Sequence, residues 1–159
     1  MTTSHNLFAA APELMQAFLA FSNQVGESGL EKPLLELVKI RASQINGCAN
    51  CLNMHTVEAR GQGETEQRIY LLSAWREAPC YTDRERAALG WTEALTRLSE
   101  GHVHEAAYPA LAAQFSEEEQ VKLTLMINVI NGWNRLGVGF GLWMEPQAVK
   151  TLQQQQAAA

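Results

Sequence analysis

ELVKIRASQINGCANCLNMH, residues 36–55, reads as the end of one amphipathic helix, a stop at Asn46 and Gly47, and a second helix that opens on two cysteines. Glu36 is followed after eleven residues by Cys48, after two more by Cys51, and after three more by His55. If Cys48 opens a helix, at roughly 100° per residue the two thiols and the imidazole fall within about 60° of one another on one face. Two thiols and a base then share one wall of a pocket.

Helical spacing continues in both directions. The helix before the cysteines starts near Pro33 and puts Leu34, Leu35, Val38, Ala42 and Ile45 on one side, with Glu36 off that stripe in line with Ile40 and Ser43. Asn46–Gly47 suits a left-handed C-cap. The next helix runs from Cys48 to about Arg60, with Gly61 and Gly63 as its exit. Upstream, Pro12 suits a first turn, and Leu14, Phe18, Phe21 and Val25 recur as a core-facing stripe until Gly26 and Gly29. Downstream, residues 64–77 form a helix closed by Pro79, and Thr82 with Glu85 forms a capping box for a helix that ends at Gly101. A helix over about 105–115 follows. A second capping box, Ser116 with Glu119, then opens a long apolar helix through Leu136, after which GVGFG bends the backbone. Strand alternation and hairpin turns are nearly absent, so the fold class is all-α. The tail QQQQAAA reads as a frayed helix end or an oligomer contact.

With 159 residues the chain fits one domain over 1–159. A net charge of -5 offers no basic surface to nucleic acid or an anionic membrane. The N-terminus lacks the cationic start and apolar run of a secretory signal, so a cytoplasmic location is expected. The stretch from Leu123 to Met144 is long enough to span a bilayer but carries Asn128, Asn131, Asn134 and Arg135, which fits a core helix with a polar edge. Three cysteines cannot make a disulfide framework, and a CxxC pair in such a protein points to redox chemistry or a metal.

A cysteine is a nucleophile as thiolate, and a helix N-terminus with a nearby imidazole lowers its pKa. Cys48 has the helix end and the greater expected exposure; Cys51 has His55, four residues on, as its base. Glu36 is placed to orient that imidazole, although a carboxylate there also suits a surface pair with Lys32 or Lys39. Zinc is the rival reading, since two thiols and an imidazole are three ligands, with His102 or His104 as a fourth; without a second CxxC, no metal and no cofactor are expected. Cys80 reads as a structural or surface thiol. Trp75, Trp91, Phe140 and Trp143 fit core packing better than the lining of an apolar entry.

Glu36, Cys48, Cys51 and His55 together match the core motif of the AhpD-like alkylhydroperoxidases, within the carboxymuconolactone decarboxylase family. ASQINGCANCLNMH, GETEQRIYLLSAWREAP, YTDRERAALGWTEAL and NGWNRLGVGF also resemble that family, so the likeness covers most of residues 30–140. The resemblance implies an all-helical fold assembled as a trimer or hexamer, and a thiol pair that reduces peroxide or exchanges disulfides. It makes Cys51 the thiol that attacks peroxide, Cys48 the resolving thiol, His55 the base and Glu36 its relay partner. The reductant is then an external dithiol, such as a lipoyl or thioredoxin-like protein. One position departs from the best-characterised members, where a histidine between the cysteines joins the relay. Here it is Asn50, whose amide exchanges no protons near neutral pH. Two other functions fit less well: a redox-sensing oligomer without peroxide turnover, and a decarboxylase-like enzyme, which in this superfamily generally lacks the cysteine pair.

Overall fold

The computed structural model describes residues 6–101 and 103–145. Its helices are α1 (Leu7–Ala10), α2 (Pro12–Gly26), α3 (Lys32–Asn46), α4 (Ala49–Gly61), α5 (Glu66–Leu71), α6 (Asp83–Thr96), α7 (Val103–Gln114) and α8 (Glu117–Gly139). Among the described residues there is no strand, as the sequence requires. None of the helices is long and apolar enough to cross a membrane.

The hub is α3, which packs against α4, α6 and α8. Leu37, Val38, Ile40 and Ala42 are fully buried, and the burial reaches round the helix to include Glu36, Arg41 and Ser43. Charged groups so enclosed must be paired, and each is. Glu36 takes the ammonium of Lys39. Arg41 donates through Nε to Glu93 Oε1 of α6 at 2.8 Å. Two apolar clusters lie on either side of this helix: Leu34, Leu35, Val38, Leu111, Leu123 and Ile127 on one, and Leu37, Ile40, Ala59, Leu72, Trp75 and Leu89 on the other.

Both expected capping boxes are present, Thr82 with Glu85 and Ser116 with Glu119. Gly47 takes the left-handed conformation at φ 67° that the Asn46–Gly47 pair implies. Five elements differ from expectation, one of them α6, which ends at Thr96 and is followed by a 3₁₀ turn at Leu98–Glu100 instead of continuing to Gly101. Cys48 is the N-cap of α4 rather than its first helical residue, and its Sγ accepts from the Cys51 N–H. In α2 the buried face is turned toward Met15, Ser22 and Val25, because the helix packs on α8 through Phe18 against Gly132 and Trp133. Leu14, 75% exposed, and Phe21 are left outside it.

The helix expected over 64–77 is shorter, since α5 tightens into a 3₁₀ turn at Leu72–Ala74. There the Arg86 guanidinium takes over the chain reversal by donating to the carbonyls of Arg76, Ala78 and Tyr81. The last helix, α8, continues through Gly139 and the bend falls at Gly141, with φ 60°. Its polar edge is internal: Asn46 donates from Nδ2 to Asn131 and Asn134 at 2.9 Å each, and Asn134 donates to Ser43 Oγ at 3.0 Å. That network registers α8 against α3. The C-terminal QQQQAAA lies outside the described residues.

Candidate active site

The left-handed Gly47 turn leaves almost no chain between α3 and α4, so the two helices run side by side and the Cys48 N–H reaches back to the Ser43 carbonyl at 3.0 Å. Cys48 and Cys51 are joined as a disulfide with Cα atoms 5.4 Å apart. The sulfurs sit in a small buried cluster with Ala42 of α3 and Ile130 of α8. Its fourth wall is the α8 backbone: a Cβ added to Gly137 would stand 2.8 Å from Cys48 Sγ and 3.6 Å from Cys51 Sγ. A glycine in a helix costs about 1 kcal/mol relative to alanine. Here it permits the approach.

That wall reverses one expectation. Cys48 is 1% exposed and Cys51 6%, so the thiol at the helix start is the more enclosed of the two. Spacing along a helix cannot report a neighbour that arrives from residue 137.

One turn beyond Cys51, His55 Nδ1 faces two carboxylates, Glu36 Oε2 at 3.1 Å and Glu58 Oε2 at 2.8 Å. Lys39 Nζ bridges them, bonded to Glu36 and 3.8 Å from Glu58. Glu36 therefore meets the imidazole, as the motif suggests, and also pairs with Lys39, but as a buried group rather than a surface one. Glu58 is the member that motif reading misses; its one sequence signal is its position three residues after His55, on the same helix face. Burial alone would push the imidazole toward its neutral form, yet its hydrogen bonds to the Glu36 and Glu58 carboxylates outweigh this and raise the His55 pKa above its ordinary value. Burial likewise acts to raise Glu58, but its hydrogen bond and charge contact with His55, with Lys39 adding to them, hold it down at about 2.

With both carboxylates on Nδ1, the nitrogen free to exchange protons with a thiol or peroxide is Nε2. A raised imidazole pKa favours the cation, which stabilises a thiolate and then donates a proton to a leaving oxygen.

These shifts fix a pH dependence of stability. His55 is raised, so its contribution is full below the ordinary imidazole value of about 6.5 and is lost as pH rises through the folded value. Glu58 is depressed, so its contribution is present above 4.5 and is lost as pH falls toward about 2. Melting temperature plotted against pH should therefore plateau between these arms. His55→Gln should flatten the alkaline arm, and an unchanged arm would mean the imidazole is not held as described.

Among the described residues, the group able to hold a cation is Glu36, His55 and Glu58, whose donor atoms lie within 4.8 Å of one another, rather than the cysteines. Lys39 already supplies positive charge to that set. His102 and the side chain of His104, the expected fourth zinc ligands, lie outside what is described. Cys80 is a half-buried free thiol. The four aromatic residues do not line a common approach: Trp75 is buried and donates to Glu93, Trp91 packs on the first cluster, and Phe140 and Trp143 are exposed.

The sequence profile of the Carboxymuconolactone decarboxylase family matches residues 12–94. The uncharacterized protein YdfG of Bacillus subtilis is 40% identical over 141 residues, covering 89% of this chain and 96% of its own length. The alkyl hydroperoxide reductase AhpD of Hyphomonas neptunium is 43% identical over 47 residues, 30% of this chain and 26% of that one. The crystal structure of a protein of unknown function from Agrobacterium tumefaciens, proposed to act in antioxidant defence as AhpD, superposes with a TM-score of 0.87 at 47% identity, covering 91% of this chain and 99% of that chain. The helical architecture and the extent of these matches agree: the chain belongs to the carboxymuconolactone decarboxylase family, as an AhpD-like member.

Proposed function

We propose that the protein is a thiol-dependent hydroperoxide reductase that cycles between a Cys48/Cys51 dithiol and their disulfide. Family membership supports a peroxidase-related or decarboxylase-like role, and the disulfide at the start of α4 is the observation that favours the first. Cys51 attacks as thiolate: a sulfur–oxygen bond forms, the peroxide O–O bond breaks, and His55 passes a proton to the departing alkoxide, leaving an alcohol and a Cys51 sulfenic acid. Cys48 then attacks the Cys51 sulfur, the S–S bond forms and water leaves. An external dithiol, of the lipoyl or thioredoxin-like kind, restores both thiols by exchange, which transfers its two electrons to the pair. Exchange starts at Cys51, the less buried residue of the pair. Glu36 and Glu58 keep the Nδ1 proton in place throughout.

Steady-state reduction of an organic hydroperoxide with dihydrolipoamide as electron donor tests the reading. Turnover that needs both cysteines supports it; disulfide formation without turnover would instead support a redox sensor, and turnover of a lactone by a chain lacking both thiols would support the decarboxylase-like reading.

The same reading includes a homotrimer or hexamer working in the cytoplasm. Its support is apolar side chains that the chain alone leaves uncovered: Leu14 and Phe21, seven apart on α2, with Val121 and Val138 on α8. Light scattering at micromolar concentration should return a trimer or a multiple of it, and a monomer would count against this assembly.

A further inference from the structure

Beyond Gly141 the chain does not leave the site. The Leu142 N–H donates to the Gly137 carbonyl at 2.9 Å, which ties the segment to the residue that walls Cys48. Two residues later both backbone groups of Met144 are taken by side chains of α4. Its N–H donates to Asn50 Oδ1 at 2.7 Å, and Asn53 Nδ2 donates to its carbonyl at 2.7 Å. Asn50 and Asn53 are neighbours on the helix surface and stand either side of Cys51 in sequence. Residues 142–144 thus run from the α8 wall of the disulfide to the Asn50/Asn53 edge of α4, the helix that begins at the disulfide.

We propose that Leu142–Glu145 is a strap over the Cys48–Cys51 pair, that Asn50 and Asn53 are its latch, and that the latch determines which dithiols reach the disulfide. Asn50, directly before Cys51 in sequence, is thereby engaged with backbone. Recognition through one N–H and one C=O is indifferent to side chain, so an extended segment of a reductant protein can make the same two bonds once Met144 has let go. Small dithiols need only local opening of the strap; folded ones need it displaced. The inference rests on the pair being redox-active, and not on peroxide being its substrate.

The test is the rate at which dithiothreitol reduces the oxidised full-length chain, followed by alkylation and mass spectrometry. Asn53→Asp removes the donor and sets a carboxylate against the Met144 carbonyl. Asn50→Asp adds the same charge nearby but keeps an acceptor for the Met144 N–H. Met144→Pro removes that N–H without touching α4. Losing one such bond shifts an opening equilibrium by about tenfold. Asn53→Asp and Met144→Pro should therefore be reduced about tenfold faster than the parent, and Asn50→Asp at close to the parent rate. Equal rates for all four chains would overturn the strap, as would equal acceleration by both aspartates. Peroxide turnover, measured separately, can fail while the latch effect stands, so the two readings are distinguishable.

Discussion

Replacing Cys48 with serine is expected to give a chain that reacts once with organic hydroperoxide and stops, holding a sulfenic acid at Cys51 that dimedone traps. Replacing Cys51 is expected to abolish peroxide consumption altogether. The asymmetry follows from where each sulfur sits. Cys51 is one helical turn from His55, whose imidazole is held by Glu36 and Glu58 with Nε2 left for proton exchange. Cys48, sealed against Gly137, has the helix N-terminus alone. A helix dipole stabilises a thiolate, whereas an imidazole also returns a proton to the alkoxide, a contribution of roughly 10²- to 10⁴-fold. His55→Ala should therefore slow sulfenic acid formation by a factor in that range while the helices persist. A sulfenic acid at Cys48 in Cys51→Ser, formed as fast as the parent reacts, would reverse the two roles.

Glu93→Ala is expected to be the most destabilising single change away from the cysteines. The Glu93 carboxylate of α6 accepts from Arg41 Nε at 2.8 Å, from the Trp75 indole at 2.8 Å and from Arg76 at 2.6 Å, joining α3, α6 and the turn after α5 at one point. Its burial opposes ionisation, but those three donors outweigh that and hold its pKa below the ordinary carboxylate value. Arg41 is itself buried, so removing the carboxylate leaves a guanidinium without its partner, a change that costs about 3–5 kcal/mol. At roughly 2–4 °C per kcal/mol for a chain of this size, the melting temperature should fall by about 6–20 °C. Glu93→Gln, which keeps an acceptor oxygen, should lose less. A loss below about 1 kcal/mol for the alanine variant would mean that water replaces the carboxylate freely.

What was legible in the sequence is what neighbours in sequence decide. The capping boxes at Thr82 and Ser116 and the Asn46–Gly47 stop are each set within a few residues, and each stands as read. The larger errors come from contacts made across the fold. The buried face of α2 turned because Phe18 meets Gly132, which no periodicity within α2 records. Cys48 is hidden by a glycine 89 positions away. Glu58 lay within reach at three residues from His55, but acidic residues on a helix are ordinarily solvated, so its spacing alone did not distinguish it. Asn50 was legible as the loss of a proton carrier; its bond to Met144, 94 residues on, was not.

The most direct measurement is a single turnover. Fully reduced protein is mixed with one equivalent of cumene hydroperoxide and quenched with acid, the alcohol is quantified, and the cysteines are mapped by alkylation and mass spectrometry. The account requires one alcohol per chain and a Cys48–Cys51 disulfide, with Cys80 still free. Alcohol absent, or oxidation found at Cys80 while Cys48 and Cys51 remain thiols, would contradict it.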